Sequence, residues 1–219
     1  MNGHFDLVIF DCDGVLVDSE RLCVQVEAEL ITQTGWPLTP AEVAGRFLGK
    51  SDEHMLAEIE RQVGRALGAD WLAGLHERYR DRFRRDLTAV PGVVAALDAI
   101  AAAGVPTCVA SSGTPEKMAT TLGITGLADR FDGRIFSAVE VEHGKPAPDL
   151  FLHAARKMGV PPDRCAVVED SPAGVAAGRA AGMTVLGYRT ELVPPGALTG
   201  ERTIEFEDMR ELPRLLGLR

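Results

Sequence analysis

A four-residue apolar run that ends abruptly in paired acids constrains this chain more than any other feature. Leu7 to Phe10 is short and partly β-branched, which suits a strand buried on both faces. It runs straight into Asp11, Cys12, Asp13 and Gly14. In extended backbone, residues two apart point the same way, so Asp11 and Asp13 share one face at the strand's carboxyl end. Open α/β sheets bind their ligands beyond that end. Gly14 lets the chain leave the strand without a Cβ, so that backbone N–H groups can approach a ligand. Two adjacent carboxylates disfavour each other's ionisation and gain little from packing. The pair therefore reads either as a solvated strand end or as a nucleophile beside a general acid/base at a divalent cation.

The next seventy residues are helical in pattern. From Glu20 to Thr34, apolar residues recur at 22, 26, 30 and 31, and the pattern stops at Gly35. Thr39 to Glu42 forms a capping box with Pro40 at the first helical position, which starts a second helix. Ser51 is an N-cap for a third helix running to about Leu67, and a fourth spans Trp71 to about Leu87. Arg78, Arg80, Arg82, Arg84 and Arg85 are spread around that last helix and read as a solvated face. Four helices without a strand signal between residues 18 and 87 indicate a helical insertion.

From Val90 onward, strand and helix patterns alternate. Strands are expected at Val105–Ala110, Ile135–Ser137, Cys165–Val168 and Met183–Tyr188, with an edge strand at Thr203–Phe206. Helices are expected at Val93–Ala103, from Thr114-Pro115 onward, at Pro148–Met158, and from Pro172 to Ala181. A short last helix is interrupted at Pro213. This alternation implies an α/β fold with a parallel sheet covered on both faces.

At 219 residues the chain is long enough for one large domain, or for a core with a smaller insertion. A net charge of −9 with no long basic run argues against nucleic acid or an anionic membrane surface as partner. It does not exclude an anionic substrate, since a few local cations hold one phosphate. The four cysteines (Cys12, Cys23, Cys108 and Cys165) show no metal-ligand spacing and read as reduced thiols. No signal-peptide pattern and no 18-residue apolar segment are found, so the expected location is cytoplasmic. The expected assembly is a monomer or weak homodimer.

Further polar groups stand where predicted strands or loops end. Ser111 and Ser112 follow Val105–Ala110, Lys145 sits between Gly144 and Pro146, and Glu169 and Asp170 follow Cys165–Val168. A parallel sheet places its strand carboxyl ends on one side, so Asp11, Asp13, Ser111, Glu169 and Asp170 can converge. Four carboxylates and one lysine carry a formal charge of about −3, untenable in one pocket without a cation. Hard oxygen donors with waters favour Mg²⁺. Asp11 would then attack phosphorus and Asp13 would exchange protons with the leaving oxygen and with water. Ser111 and Lys145 would hold the charge developing on the transferred group.

These residues resemble the four motifs of the haloacid dehalogenase-like hydrolases: DxDGVLVDSE, the serine of VASSGT, the lysine of GKPAPDLF and the acidic pair of VVEDSPAG. The resemblance covers essentially the whole chain. It implies a Rossmann-like doubly wound core formed by residues 1–17 and 88–219, with a four-helix cap inserted at 18–87. It also implies Asp11 as nucleophile and Asp13 as acid/base. Asp11, Gly14, Ser111, Ser112 and Lys145 would bind phosphate. Asp11, Asp170 and the Asp13 main-chain carbonyl would hold Mg²⁺, with Glu169 a ligand directly or from behind. Dehalogenation is disfavoured, because the true dehalogenases lack the second aspartate, here Asp13.

Within that family the chain is similar to the sugar-phosphate phosphatases and the β-phosphoglucomutases. The mutases carry a histidine on the first cap helix and an arginine just past the cap's glycine loop. Counting places Cys23 and Asp52 at those positions. A phosphatase acting on a small sugar or polyol phosphate is therefore expected, with a phosphosugar mutase and a non-catalytic phospho-ligand binder as alternatives. Glu20, Gly49 and Lys50 are the cap residues expected to meet the substrate.

Overall fold

The computed structural model describes residues 5–218. The first strand, β1, is Leu7–Phe10, and all four of its side chains are fully buried. Fully burying side chains such as these contributes about 1.5–3 kcal/mol each, which makes this strand the anchor of its layer.

Beyond β1 the chain divides into two compact units, one of them Ser19–Leu87. This unit contains α1 (Ser19–Gln33), α2 (Pro40–Phe47), α3 (Asp52–Val63) and α4 (Ala69–Asp86). The Thr39 hydroxyl and the Glu42 side chain cap α2 reciprocally, as the capping-box spelling predicts. Helix α3 ends four residues earlier than expected from sequence. Gly64 takes a left-handed conformation (φ 69°) and caps it, and the Glu60 carboxylate then accepts from Leu67 N and Gly68 N at 2.7 and 3.1 Å. Leu22, Val26, Ile31, Ile59, Leu75 and Phe83 fill the interior of the unit. Four of the five arginines of α4 are exposed, but Arg82 is half-buried against Gln25 of α1.

The remaining described residues form the other unit. Its strands β2 (Thr107–Ser111), β3 (Ile135–Ser137), β4 (Cys165–Glu169), β5 (Thr184–Tyr188) and β6 (Thr203–Phe206) join β1 in one sheet. The order is β3-β2-β1-β4-β5-β6 and every pairing is parallel. This is the Rossmann-like doubly wound order, and its direction reverses between β1 and β4. β2 begins two residues later than the sequence suggests, because Pro106 has no N–H to give the ladder.

Helices α5 (Val93–Ala102), α6 (Pro115–Ile124), α7 (Asp149–Met158) and α8 (Pro172–Ala180) connect the strands. Helix α7 packs on β1, β2 and β3, and α8 packs on β4 and β5. Gly178 is required by that second contact, since a Cβ there would lie 2.7 Å from Val185 Cγ2. The last helix, α9, is Leu212–Leu215, and Pro213 lies in its first turn instead of interrupting it. Among the described residues no helix is long and apolar enough to cross a membrane.

The segments leading out of and back into the sheet unit are tied together. Asp18 N donates to Thr88 O and Val90 N to Leu16 O, both at 3.0 Å.

Candidate active site

The site is built where the sheet reverses. Asp11 follows β1 and Glu169 closes β4, and the two strands are locked in register, with Asp11 N donating to Val168 O at 3.0 Å. Lys145, carried on the loop before α7, reaches between them. Its Nζ lies 2.6 Å from Asp11 Oδ1 and 2.6 Å from Glu169 Oε1. The ammonium also sits 4.9 Å from the centre of the buried Phe151 ring. The Lys145 side chain is only 5% exposed and that of Glu169 only 1%.

Such burial is tolerable only because the charges meet. Burial alone would lower the Lys145 ammonium, but Asp11 and Glu169 more than offset this and hold it above its ordinary range. Burial pushes the Asp11 carboxyl up to about 7, against the opposing pull of Lys145.

Glu169 is held from its other side. Ser171 N and Oγ donate to Glu169 Oε2 at 2.7 and 2.9 Å, and Ser171 itself caps α8 through Gly174 N. Both carboxylate oxygens are therefore engaged. The space they occupy exists because residue 174 is glycine: a Cβ there would lie 1.8 Å from Glu169 Oε1. Asp170, the next residue, is also buried, at 2% exposure.

Asp13 belongs to a second group. Its Oδ2 accepts from Lys117 Nζ at 2.8 Å. Sequence alone does not point to Lys117: a cation in the first turn of a helix is only mildly disfavoured by the helix dipole, and nothing local names a partner 104 residues away. Counting Lys117 reduces the formal charge of the cluster to about −2, which one divalent cation neutralises. The buried Ser111 ends β2, its Oγ accepting from Gly113 N at 3.1 Å, with the exposed Ser112 beside it. Ser137, at the end of β3, donates to Gly113 O at 2.7 Å and steadies that loop.

Two expectations change in detail. Gly14 does adopt a positive φ (75°), but its N–H is donated to Val17 O at 2.8 Å, so the glycine serves the turn and not as an open donor. Glu169 spends its oxygens on Lys145 and Ser171. Among the described residues, no three His, Cys, Asp or Glu side chains gather closely enough to hold an ion unaided. The donors that the family resemblance offers besides Glu169 are Asp11, Asp170 and the carbonyl of Asp13. One or two carboxylates and otherwise neutral oxygens, completed by water, is the donor chemistry of Mg²⁺.

Glu20 lies in the first turn of α1, and Gly49 and Lys50 form an exposed turn in which Lys50 N donates to Phe47 O at 2.8 Å. All three belong to the Ser19–Leu87 unit. In the same unit Asp52 Oδ2 pairs with His76 Nε2 at 2.6 Å, and the Tyr79 hydroxyl donates to Glu27 Oε1 at 2.5 Å.

Residues 5–182 match the family model of the haloacid dehalogenase-like hydrolases. A 6-phosphogluconate phosphatase of Escherichia coli is 32% identical over 218 residues, covering 97% of this chain and 95% of that protein. Among solved structures, a haloacid dehalogenase-like protein of unknown function from Agrobacterium tumefaciens is 37% identical (TM-score 0.88, covering 97% of this chain and 98% of that one). A HAD family hydrolase from Deinococcus radiodurans, crystallised with bound phosphate and sodium, is 33% identical (TM-score 0.86, covering 98% and 96%). With the reversing parallel sheet and the strand-end acids already in place, these likenesses make the chain a member of the haloacid dehalogenase-like hydrolases.

Proposed function

We propose that this enzyme is a Mg²⁺-dependent phosphatase that hydrolyses a small phosphorylated metabolite, a sugar or polyol phosphate, through an aspartyl-phosphate on Asp11. The observation that carries this reading is the buried Lys145 ammonium, held 2.6 Å from Asp11 at the reversal of the sheet. A cation so placed faces the oxygens of any phosphoryl group that the nucleophile attacks. The 6-phosphogluconate phosphatase supports the substrate class.

In the first half-reaction an Asp11 carboxylate oxygen bonds to phosphorus while the bond from phosphorus to the leaving oxygen breaks. Asp13 gives that oxygen its proton. In the second, Asp13 takes a proton from water as the water oxygen bonds to phosphorus, and the bond to Asp11 breaks, releasing phosphate. Lys145 and Ser111 hold the phosphoryl oxygens throughout. Glu169 keeps Lys145 in place, with Ser171 and Gly174 fixing Glu169. Asp11, Asp170 and the Asp13 carbonyl would hold Mg²⁺, which supplies neutralisation of the phosphoryl charge.

The Ser19–Leu87 unit acts in this reading as a lid over the leaving group, with Glu20, Gly49 and Lys50 as its contacts. Asp52, at the position where the mutases place an arginine, is an acid paired with His76, and a carboxylate there opposes a second phosphate. The test is ³¹P NMR with a hexose 1-phosphate and Mg²⁺. Inorganic phosphate should be the product, and clean conversion to the 6-phosphate isomer would refute the reading. Absence of turnover with p-nitrophenyl phosphate and every sugar phosphate tried would favour a silent binder.

A further inference from the structure

We infer that Lys117 is a positioning residue for the acid/base: it fixes the orientation of the Asp13 carboxylate, and through it the protonation of the leaving oxygen. This rests on the phosphatase reading but uses a residue which that reading does not need. Lys117 stands in the first turn of α6, where the helix dipole disfavours a cation. Its backbone is pinned there, Thr114 Oγ1 accepting from Lys117 N at 3.3 Å and Pro115 setting the first turn. From this fixed base the long side chain crosses to Asp13 Oδ2 at 2.8 Å.

An ordinary surface ion pair would contribute little, and Lys117, with its side chain 42% exposed, resembles one from its own end. The other end is different, because Asp13 is only 18% exposed and shares a confined space. A Cβ at Gly113 would lie 3.6 Å from Asp13 Oδ2 and 3.5 Å from Ser111 Oγ. The acid/base carboxylate and the phosphate-side serine thus meet around one glycine, and Ser137 holds the carbonyl of that glycine at 2.7 Å. A short carboxylate rotates readily about its two side-chain bonds, and proton transfer requires it within hydrogen-bond reach of the leaving oxygen. A fixed ammonium on Oδ2 selects one orientation before substrate arrives.

The consequence is specific to the leaving group. When phosphorus passes to Asp11, an alkyl leaving oxygen must receive the proton of Asp13 as its bond breaks. p-Nitrophenolate departs as a stable anion and needs no such proton. The quantity to compare is kcat/KM, which reports the first half-reaction and is not limited by hydrolysis of the aspartyl-phosphate.

Lys117→Met should be assayed on p-nitrophenyl phosphate and on the best-hydrolysed member of a panel of sugar and polyol phosphates. For the alkyl phosphate, kcat/KM should fall about 10²-fold, the size expected of a misplaced catalytic group. For p-nitrophenyl phosphate it should stay within about 3-fold, since general acid assistance is not in use. Lys117→Arg should recover most of the loss, and inhibition by inorganic phosphate should be unchanged in both variants. Equal losses on the two substrates, or no loss on either, would overturn the inference. A wild-type enzyme that hydrolyses neither substrate would instead overturn the phosphatase reading beneath it.

Discussion

Gly174→Ala tests how the site is held together without touching a reacting atom. Gly174 lies within α8, where alanine is the better helix former by about 0.5–1 kcal/mol. Local propensity therefore predicts stabilisation. The new Cβ, however, would lie 1.8, 1.9 and 2.4 Å from Oε1, Cδ and Oε2 of Glu169. Glu169 has no room to yield, because Lys145 holds Oε1 and Ser171 holds Oε2. Either α8 shifts, at an overpacking cost of about 1–3 kcal/mol, or the carboxylate leaves Lys145. Leaving an uncompensated buried charge costs about 3–5 kcal/mol. Set against the helix gain, the net loss is about 0–2.5 kcal/mol by the first route and about 2–4.5 kcal/mol by the second; where the two ranges meet, at about 2 kcal/mol, a chain of this length loses roughly 4–8 °C in Tm. Turnover should fall as well, because Lys145 loses its anchor.

Gly123→Ala is the matched control. It is an exposed glycine of α6 with nothing within 4 Å of the new Cβ, so its Tm should hold steady or rise by about 1–3 °C. The assay is a pair of thermal melts followed by circular dichroism, with kcat/KM measured alongside. If Gly174→Ala melts with or above Gly123→Ala and keeps wild-type turnover, then Glu169 is not the fixed anchor described.

Three shorter expectations accompany it. Asp11→Asn keeps shape and strand but removes the charged nucleophile, so turnover should fall by several orders of magnitude while far-ultraviolet circular dichroism stays unchanged; turnover near the wild-type rate would remove Asp11 from its role. Exhaustive dialysis against chelator should abolish activity and lower Tm, with Mg²⁺ restoring both, since an ion bound only by the folded state stabilises it by linkage; full activity in chelator would exclude the metal. Burial raises the Glu27 carboxyl above its ordinary value, its hydrogen bond from Tyr79 opposing and Asp52 adding to the rise. The folded state then binds its proton more tightly than the unfolded chain, and stability falls as pH rises from the unfolded value through the folded one. Glu27→Gln removes that loss, so the Tm of the variant minus that of wild type should be more positive at pH 7 than at pH 4; a difference independent of pH would contradict the shift.

The sequence by itself determined the strands and most helix starts, because the information there is local. A fully apolar run suits a strand buried on both faces, and Thr39 with Glu42 spells a capping box. It also put Asp11, Asp13, Ser111, Glu169 and Asp170 on one side as candidates, because parallel strands place their carboxyl ends together whatever the strand order, whereas Lys145 was suggested by its place in the Gly144-Lys145-Pro146 loop. Which carboxylate each cation holds was not legible. Lys145 lies 134 residues from Asp11 and Lys117 lies 104 from Asp13, and no periodicity spans such distances. Only the tertiary structure decided that Glu169 turns inward to Lys145, because that depends on the empty volume above Gly174 and on the capping serine beside it. A charge count from sequence registers how many groups converge, whereas the register of the sheet and the close approach of α8 decide which of them meet.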